Sequence, residues 1–567
     1  MGAASVSFAP VRLRPVIWLA ALVGLIVAAW ILGTPPSAGP DEPSHLVRSA
    51  ALVRGELEGE RVRDDQGSAR RFDEVPVWVG WPDPACFATF PYTPVACATL
   101  LPRPDDASDL DVLEGRVVSS QPQTTRAFDY PVWGHVLPGL GTFAPAEIAL
   151  QLARGLSAVV PIALIVAALA LAARAGPIRA TSVLLAVTPT AWFTFAIVNP
   201  SAPVIGGAVA LWVAATDRTG ATWARWLAAA GWAALVLPRR DGLIWGSLSL
   251  IAIGALHRTS VLAWLRGLGR GPLAIIAAST AAVIAWGLAS DSRVSGMVVA
   301  VPLVVVAADV VRWAWVRWPR TAARAGVALL TTGTVIIAAG VVIARRPGGW
   351  DERLATEPSV PLFREIVRNS HTHVVEAIGN LGWLDAPLPP LALGLWWIGF
   401  GVLVAAVVER GGGRRLALAG SIGLSAVVVP WVLEMYQGND TGTYWQGRYS
   451  LPLLVGVPIV LGAATHLAPG ATPTPGDGDH DGDLEERRRQ RRLAIALAAV
   501  WVVVLNAALY AALRRWAVGL AGTYVPTRWD TYGAVVPPVA VLVVHLGATA
   551  GLAGRMIVRS QPTRSAP

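Results

Sequence analysis

Long apolar runs, separated by short loops that carry arginine, repeat along most of this chain. Runs long enough to cross a bilayer, about 20 residues each, or nearly so, fall near 16–33, 146–173, 180–198, 201–217, 223–237, 242–256, 272–289, 296–312, 326–344, 390–408, 415–433, 450–467, 493–513 and 534–554. The pattern predicts an all-α polytopic membrane protein with about 14 transmembrane helices. An even number of spans puts both termini on one side. Arginine loops at Arg174/Arg179, Arg218/Arg225, Arg258–Arg270, Arg312–Arg324, Arg410–Arg415 and Arg487–Arg492 mark that side as cytoplasmic by the positive-inside rule.

Two long polar stretches then lie outside, at about 34–145 and 345–389. The first is rich in Pro, Asp and Trp and is expected to carry interfacial helices. Residues 1–467 read as the main transmembrane region and 468–492 as a low-complexity cytoplasmic linker expected to be disordered. Residues 493–556 read as a C-terminal helix pair and 557–567 as a cytoplasmic tail. The run from Val16 to Gly33 follows Arg12 and Arg14 and has no small-residue cleavage site after it, so it reads as a retained signal anchor.

Composition agrees with the pattern. Of 567 residues, 54% are hydrophobic and 15% charged, against about 25% charged in an average soluble domain. The net charge of +9 is carried by arginine alone, in short loops between spans. That distribution argues against a nucleic-acid partner, and the bias to Arg, Ala, Gly and Val points to GC-rich bacterial coding. Cys86 and Cys97, the two cysteines, share the first long loop. They form a disulfide if that loop is exported, or else remain two thiols.

The stretch "PDEPSHLVRSAALVRGEL", Pro40 to Leu57, places two adjacent acids just beyond the first span. Asp41 can cap a helix whose first turn holds Glu42 and Pro43. Leu46, Val53 and Leu57 share one face of it, with His45, Arg48 and Arg54 off the stripe, which describes a helix lying on the outer leaflet. Local physics asks no more of the acids. Other candidates are Asp385 in "GNLGWLDAPLPP", Gln446 and Arg448 in "YWQGRYSLPLL", and Arg239 and Arg240 in "LPRRDG". Each has a bland reading as a turn, a cap or a snorkelling arginine. The calcium-like "DGDHDGDLEERR" has Arg488 where the bidentate Glu belongs and is rejected. His371 and His373, at i, i+2, do not converge on one helix face. Phosphate-binding glycine loops, nucleophile elbows and zinc-protease motifs are missing from the sequence.

Four pieces together, "PDEPSHLVRSAALVRGEL", "VNPSAPVIGGAVALWVA", "GNLGWLDAPLPP" and "YWQGRYSLPLL", resemble the domain-of-unknown-function 2142 family of predicted membrane proteins, common in actinobacteria. "FDYPVWGHVLPGL" is a weaker match, and the resemblance assigns no role to Tyr130 or His135. The family is grouped by fold with GT-C glycosyltransferases, so the resemblance implies a GT-C-like fold in a bacterial plasma membrane. It implies transfer of a sugar from a polyprenyl-phosphate donor to a cell-envelope glycan acceptor at the outer face. The acidic motif of that class maps onto Asp41 and Glu42, with Asp41 as general base and Glu42 either tuning it or sharing a divalent metal with it. Arg239 and Arg448 would stabilise the leaving phosphate, and His45, Arg240, Asp385 and Gln446 would line the substrate site. The rival readings are a flippase for lipid-linked glycan and a non-catalytic assembly partner. An enzyme would gather Asp41, Arg239 and Arg448 in one place, whereas a transporter would show a polar path at the midplane.

Overall fold

The computed structural model describes residues 13–64, 67–76, 78–79, 84–100, 120–289, 305, 307–310, 312, 359–441, 445–465, 480–529 and 536–558. Most of the expected spans at 296–312 and 326–344, together with Arg345 and Arg346, lie outside the described residues.

Helix α1 (Leu13–Gly33) leads to a short α2 (Glu42–Val53). Three strands follow: β1 (Glu60–Asp64), β2 (Gly67–Pro76) and β3 (Ser120–Thr125). Next come α3 (Val136–Gly141), α4 (Ala146–Ala175), α5 (Pro177–Ala186), α6 (Pro189–Phe195) and α7 (Ser201–Ala215). They are followed by α8 (Trp223–Val236), α9 (Gly242–His257), α10 (Val261–Gly267) and α11 (Arg270–Ala289). Helix α12 (Ser359–Gly379) ends in the small hairpin β4 (Asn380–Leu381) and β5 (Ala386–Pro387). The last helices are α13 (Pro390–Glu409), α14 (Gly413–Thr441), α15 (Gly447–Leu454), α16 (Gly456–Ala464), α17 (His480–Val518) and α18 (Pro538–Val558).

Among the described residues, eight helices are long and apolar enough to cross a membrane, or nine if α9 and α10, bent by 85°, count as one broken span. The runs at 180–198, 201–217 and 223–237 form shorter helices. Pro177 and Pro189 start α5 and α6, because proline fits a helix start and fails in its interior. Trp192 of α6 and Trp212 of α7 are nonetheless fully buried, so these short helices lie inside the bundle.

The first loop is not purely helical. Its strands form an antiparallel sheet in the order β1-β2-β3, with Glu60 opposite Arg71 and Phe72 opposite Gln123. Phe72 and Val75 point into a second, smaller core with Leu46, Val47, Ala50 and Ala51 of α2 and Leu150 and Ala153 of α4. This corrects the outer-leaflet helix: α2 ends at Val53, so Leu57 lies beyond it, and His45, Arg48 and Ser49 are buried along with its apolar stripe. The sheet and α3 cover the face that lipid would have taken. Gly139 makes that cover possible, since a Cβ there would lie 2.4 Å from the Ser49 carbonyl oxygen.

The polar stretch before the last helix pair is helical from His480 onward. Within it Gln490 donates to Glu486, and Arg410, the residue that caps the end of α13, pairs with Glu486 at 2.6 Å. These i, i+4 and interhelix contacts order residues whose composition alone suggested disorder.

Candidate functional site

Helix α1 ends, and α2, α4, α9 and α15 begin, at one end of the bundle. Asp41 opens α2 in the left-handed region, at φ 61°. Its side chain makes no capping hydrogen bond. Instead it pairs with Arg448 in the first turn of α15, reaching across 407 positions of sequence. The expected cap is therefore an ion-pair partner, with a carboxylate still 42% exposed.

Glu42 goes the other way. It is fully buried, and Arg154 of α4 grips it with both arms, Nε at 2.8 Å and Nη2 at 2.6 Å. The Val198 amide donates to the same carboxylate at 3.0 Å. Arg154 also donates to the Thr34 and Pro35 carbonyls, at 2.6 and 2.9 Å, and so ties the end of α1 to α4. A metal shared between Asp41 and Glu42 does not fit these partners, because both Glu42 oxygens are taken. Among the described residues no group of three or more His, Cys, Asp or Glu could hold an ion.

Arg239, in the turn between α8 and α9, joins Asp41 and Arg448 through the aromatic rings around it. Its guanidinium lies over Tyr449 at 4.6 Å and over Tyr130 at 5.4 Å. Asp241 holds it at 2.8 and 3.3 Å, and Ser201 accepts from its Nη1 at 2.8 Å. Burial alone would lower its pKa, but Asp241, Tyr130 and Tyr449 outweigh burial and raise it above the ordinary arginine value. Arg448 lies over the same Tyr449 ring at 5.1 Å and donates to its hydroxyl. Arg240 lies over Tyr130 at 5.8 Å. Arg239, Arg240 and Arg448 thus meet Asp41 and Asp241 around the rings of Tyr130 and Tyr449. Among the described residues, the buried Arg448 Nε–H and Gln446 carboxamide oxygen have no hydrogen-bond partner.

The turn that carries Arg448 is held by two further acids that sequence reasoning passed over. Glu434 accepts from the Trp445 amide and Glu376 from the Gly447 amide, each at 2.8 Å. Gly447 is required here, since a Cβ would lie 2.1 Å from the His373 carbonyl oxygen. Burial raises the pKa of Glu376, with Glu434 adding to that and the Gly447 amide and Arg448 opposing it.

His45, one helical turn after Asp41, is buried beside His135, its Nδ1 3.3 Å from His135 Nε2. Tyr130 meets the His45 ring edge-on at 5.0 Å. Burial first, then Arg239 and Arg448, lower the His45 pKa to about 3.

Asp41, His45, Arg239, Arg240, Gln446 and Arg448 thus gather at one place. Tyr130, His135, Asp241 and Tyr449 join them. Asp385 serves elsewhere: it pairs with the buried Arg515 at 2.6 Å. Arg515 donates in turn to the carbonyls of Phe87, Phe90 and Thr93. Those residues lie inside the loop closed by the Cys86–Cys97 disulfide, whose Cα atoms are 6.1 Å apart. Arg515 is therefore a clamp on that loop rather than an anion-binding arginine.

A helical membrane protein with an arginine-rich, aromatic-walled cluster where several helices start is the class that fold and site define. The chain belongs to the family described as predicted membrane protein (DUF2142), whose model matches residues 24–457. That match takes in Asp41, His45, Arg239 and Arg448. No curated protein and no solved structure matches the chain.

Proposed function

We propose that the chain is a GT-C-type glycosyltransferase in a bacterial plasma membrane, with both termini cytoplasmic and the Asp41 cluster facing outward. It transfers a sugar from a polyprenyl-phosphate donor to a cell-envelope glycan acceptor. The observation that carries this reading is the convergence of Asp41, Arg239 and Arg448 from distant parts of the chain into one cluster. The Arg448 Nε–H adds unused capacity to donate to an anion.

The chemistry follows from the groups present. The donor phosphate competes with Asp41 for Arg448, and the freed carboxylate accepts the acceptor hydroxyl's proton. The acceptor oxygen bonds to the anomeric carbon as the bond from that carbon to the phosphate oxygen breaks. The electron pair leaves on polyprenyl phosphate, which gains a second negative charge. Arg239 and Arg448 stabilise that charge, and no acid is needed to protonate the leaving group. Glu42 takes no part except to anchor the start of α2.

An in-membrane assay with radiolabelled polyprenyl-phosphate sugars tests the reading. Asp41→Asn keeps shape and hydrogen bonding and loses the base, so transfer should fall at least about 100-fold. Transfer at the wild-type rate would remove Asp41 as base.

A further inference from the structure

We propose that His45 is a proton site coupled to the arginine cluster: when a phosphate anion occupies Arg239 and Arg448, His45 takes up a proton and becomes a third cationic arm. The inference rests on reading those arginines as the phosphate cradle.

Hydrogen bonding fixes the tautomers. His135 Nδ1 lies 3.3 Å from the Pro131 carbonyl oxygen, which only accepts, so Nδ1 carries the hydrogen. In the neutral ring Nε2 then holds a lone pair. His45 Nδ1, 3.3 Å away, must donate to it. That leaves a lone pair on His45 Nε2. The chain from Pro131 through His135 to His45 thus ends on a single basic nitrogen one turn beyond Asp41.

The charges around that nitrogen decide its state. From its own helix come Asp41 and Arg48. Tyr130 and His135 face it from the segment before α4, Arg239 with its partner Asp241 from the turn before α9, and Arg448 from α15. Asp41 is already paired to Arg448 and Asp241 to Arg239, so burial first, and then repulsion from the two arginines, keep His45 neutral. An anion held by Arg239 and Arg448 cancels that repulsion. A proton from solvent, or from Asp41 after transfer, then binds Nε2. A donor phosphodiester carries one negative charge and the leaving monoester can carry two, so protonated His45 favours the state after transfer.

Nitrogen-15 spectra of histidine-labelled protein in nanodiscs test this, with His45→Gln identifying the His45 signal among the eight histidines. Without added phosphate, His45 should stay neutral down to pH 5. Decaprenyl phosphate in the nanodisc should raise its proton affinity at least about 1000-fold, bringing its titration from about 3 to pH 6 or above. Inorganic phosphate is the second arm: an equal shift supports the proton site and assigns its anion as free phosphate. Should His45→Gln fail to fold, His135→Phe keeps the ring and removes the acceptor, and the His45 tautomer signal should then change. An unmoved titration, with phosphorus spectra showing decaprenyl phosphate bound, overturns the proton site alone. If neither phosphate binds, the cradle reading fails with it.

Discussion

The Glu42–Arg154 pair gives the sharpest stability prediction. The two side chains are 0% and 1% exposed, and they meet at 2.6 Å. Opposite charges about 4 Å apart attract by about 4 kcal/mol at an effective dielectric of 20. Desolvation offsets much of that gain, so the intact pair is worth little net. Removing one partner is another matter, costing about 3–5 kcal/mol, because the survivor stays buried and charged. In Glu42→Gln, Arg154 keeps the carbonyls of Thr34, Pro35 and Ile31. Those dipoles ease the charge without neutralising it, which argues for the lower end, about 3 kcal/mol. Arg154→Met should cost more. It leaves Glu42 with the Val198 amide and frees the α1 carbonyls.

The double variant Glu42→Gln/Arg154→Met removes both charges. Its cost should fall short of the summed single costs by at least about 2 kcal/mol. Reversible unfolding by SDS in mixed micelles, read by tryptophan fluorescence, measures all three variants. A Glu42→Gln protein within about 0.5 kcal/mol of wild type, or costs that simply add, would refute the anchoring role.

Two further outcomes follow from the buried acids. The raised pKa of Glu376 means that the folded state binds its proton more tightly than the unfolded state does. Its contribution is intact in acid and is lost as pH rises above the ordinary value of 4.5 toward the raised one. Glu376→Gln still accepts from the Gly447 amide, so the variant should gain on wild type as pH rises above 4.5; a constant difference in unfolding midpoint sinks this. Asp385→Asn should cost about 3 kcal/mol by stranding Arg515. Because Arg515 holds the Cys86–Cys97 loop, loss of the disulfide (Cys86→Ser/Cys97→Ser) should add less to Asp385→Asn than to wild type, and additive costs would separate the two.

Much of this architecture was legible, and the gaps have physical causes. Apolar run length located the long helices but could not show that α5 to α8 fall short of a span, because proline placement and tertiary burial set their ends. The sheet was hidden because "ERVRD" and "GSARRFDEVP" lack alternating apolar residues. Their pairing is supported by Phe72 and Val75 packing on α2. Arg154 carried a signal that went unused: an arginine inside a spanning helix needs a buried anion. Asking which acid could reach it leads to Glu42, and Glu42 then ceases to be a catalytic candidate. Tyr130 and His135 had no such mark, since only the folded chain brings them to Arg239 and His45.

The split between the two acids also decides which variant of Asp41 is informative. Burial of Glu42 against Arg154 fixes the start of α2, and the residue before it turns through φ 61°. Left-handed geometry costs most L-residues roughly 1–2 kcal/mol, and Asn and Asp bear it best. Asp41→Ala therefore confounds loss of the carboxylate with backbone strain. Asp41→Asn removes the charge alone and leaves Arg448 a neutral partner. If Asp41→Asn loses transfer while its unfolding midpoint stays near wild type, the carboxylate acts in the chemistry. If Asp41→Ala loses both and Asp41→Asn loses neither, the acid is only a turn former, and the arginine cluster must be given another use.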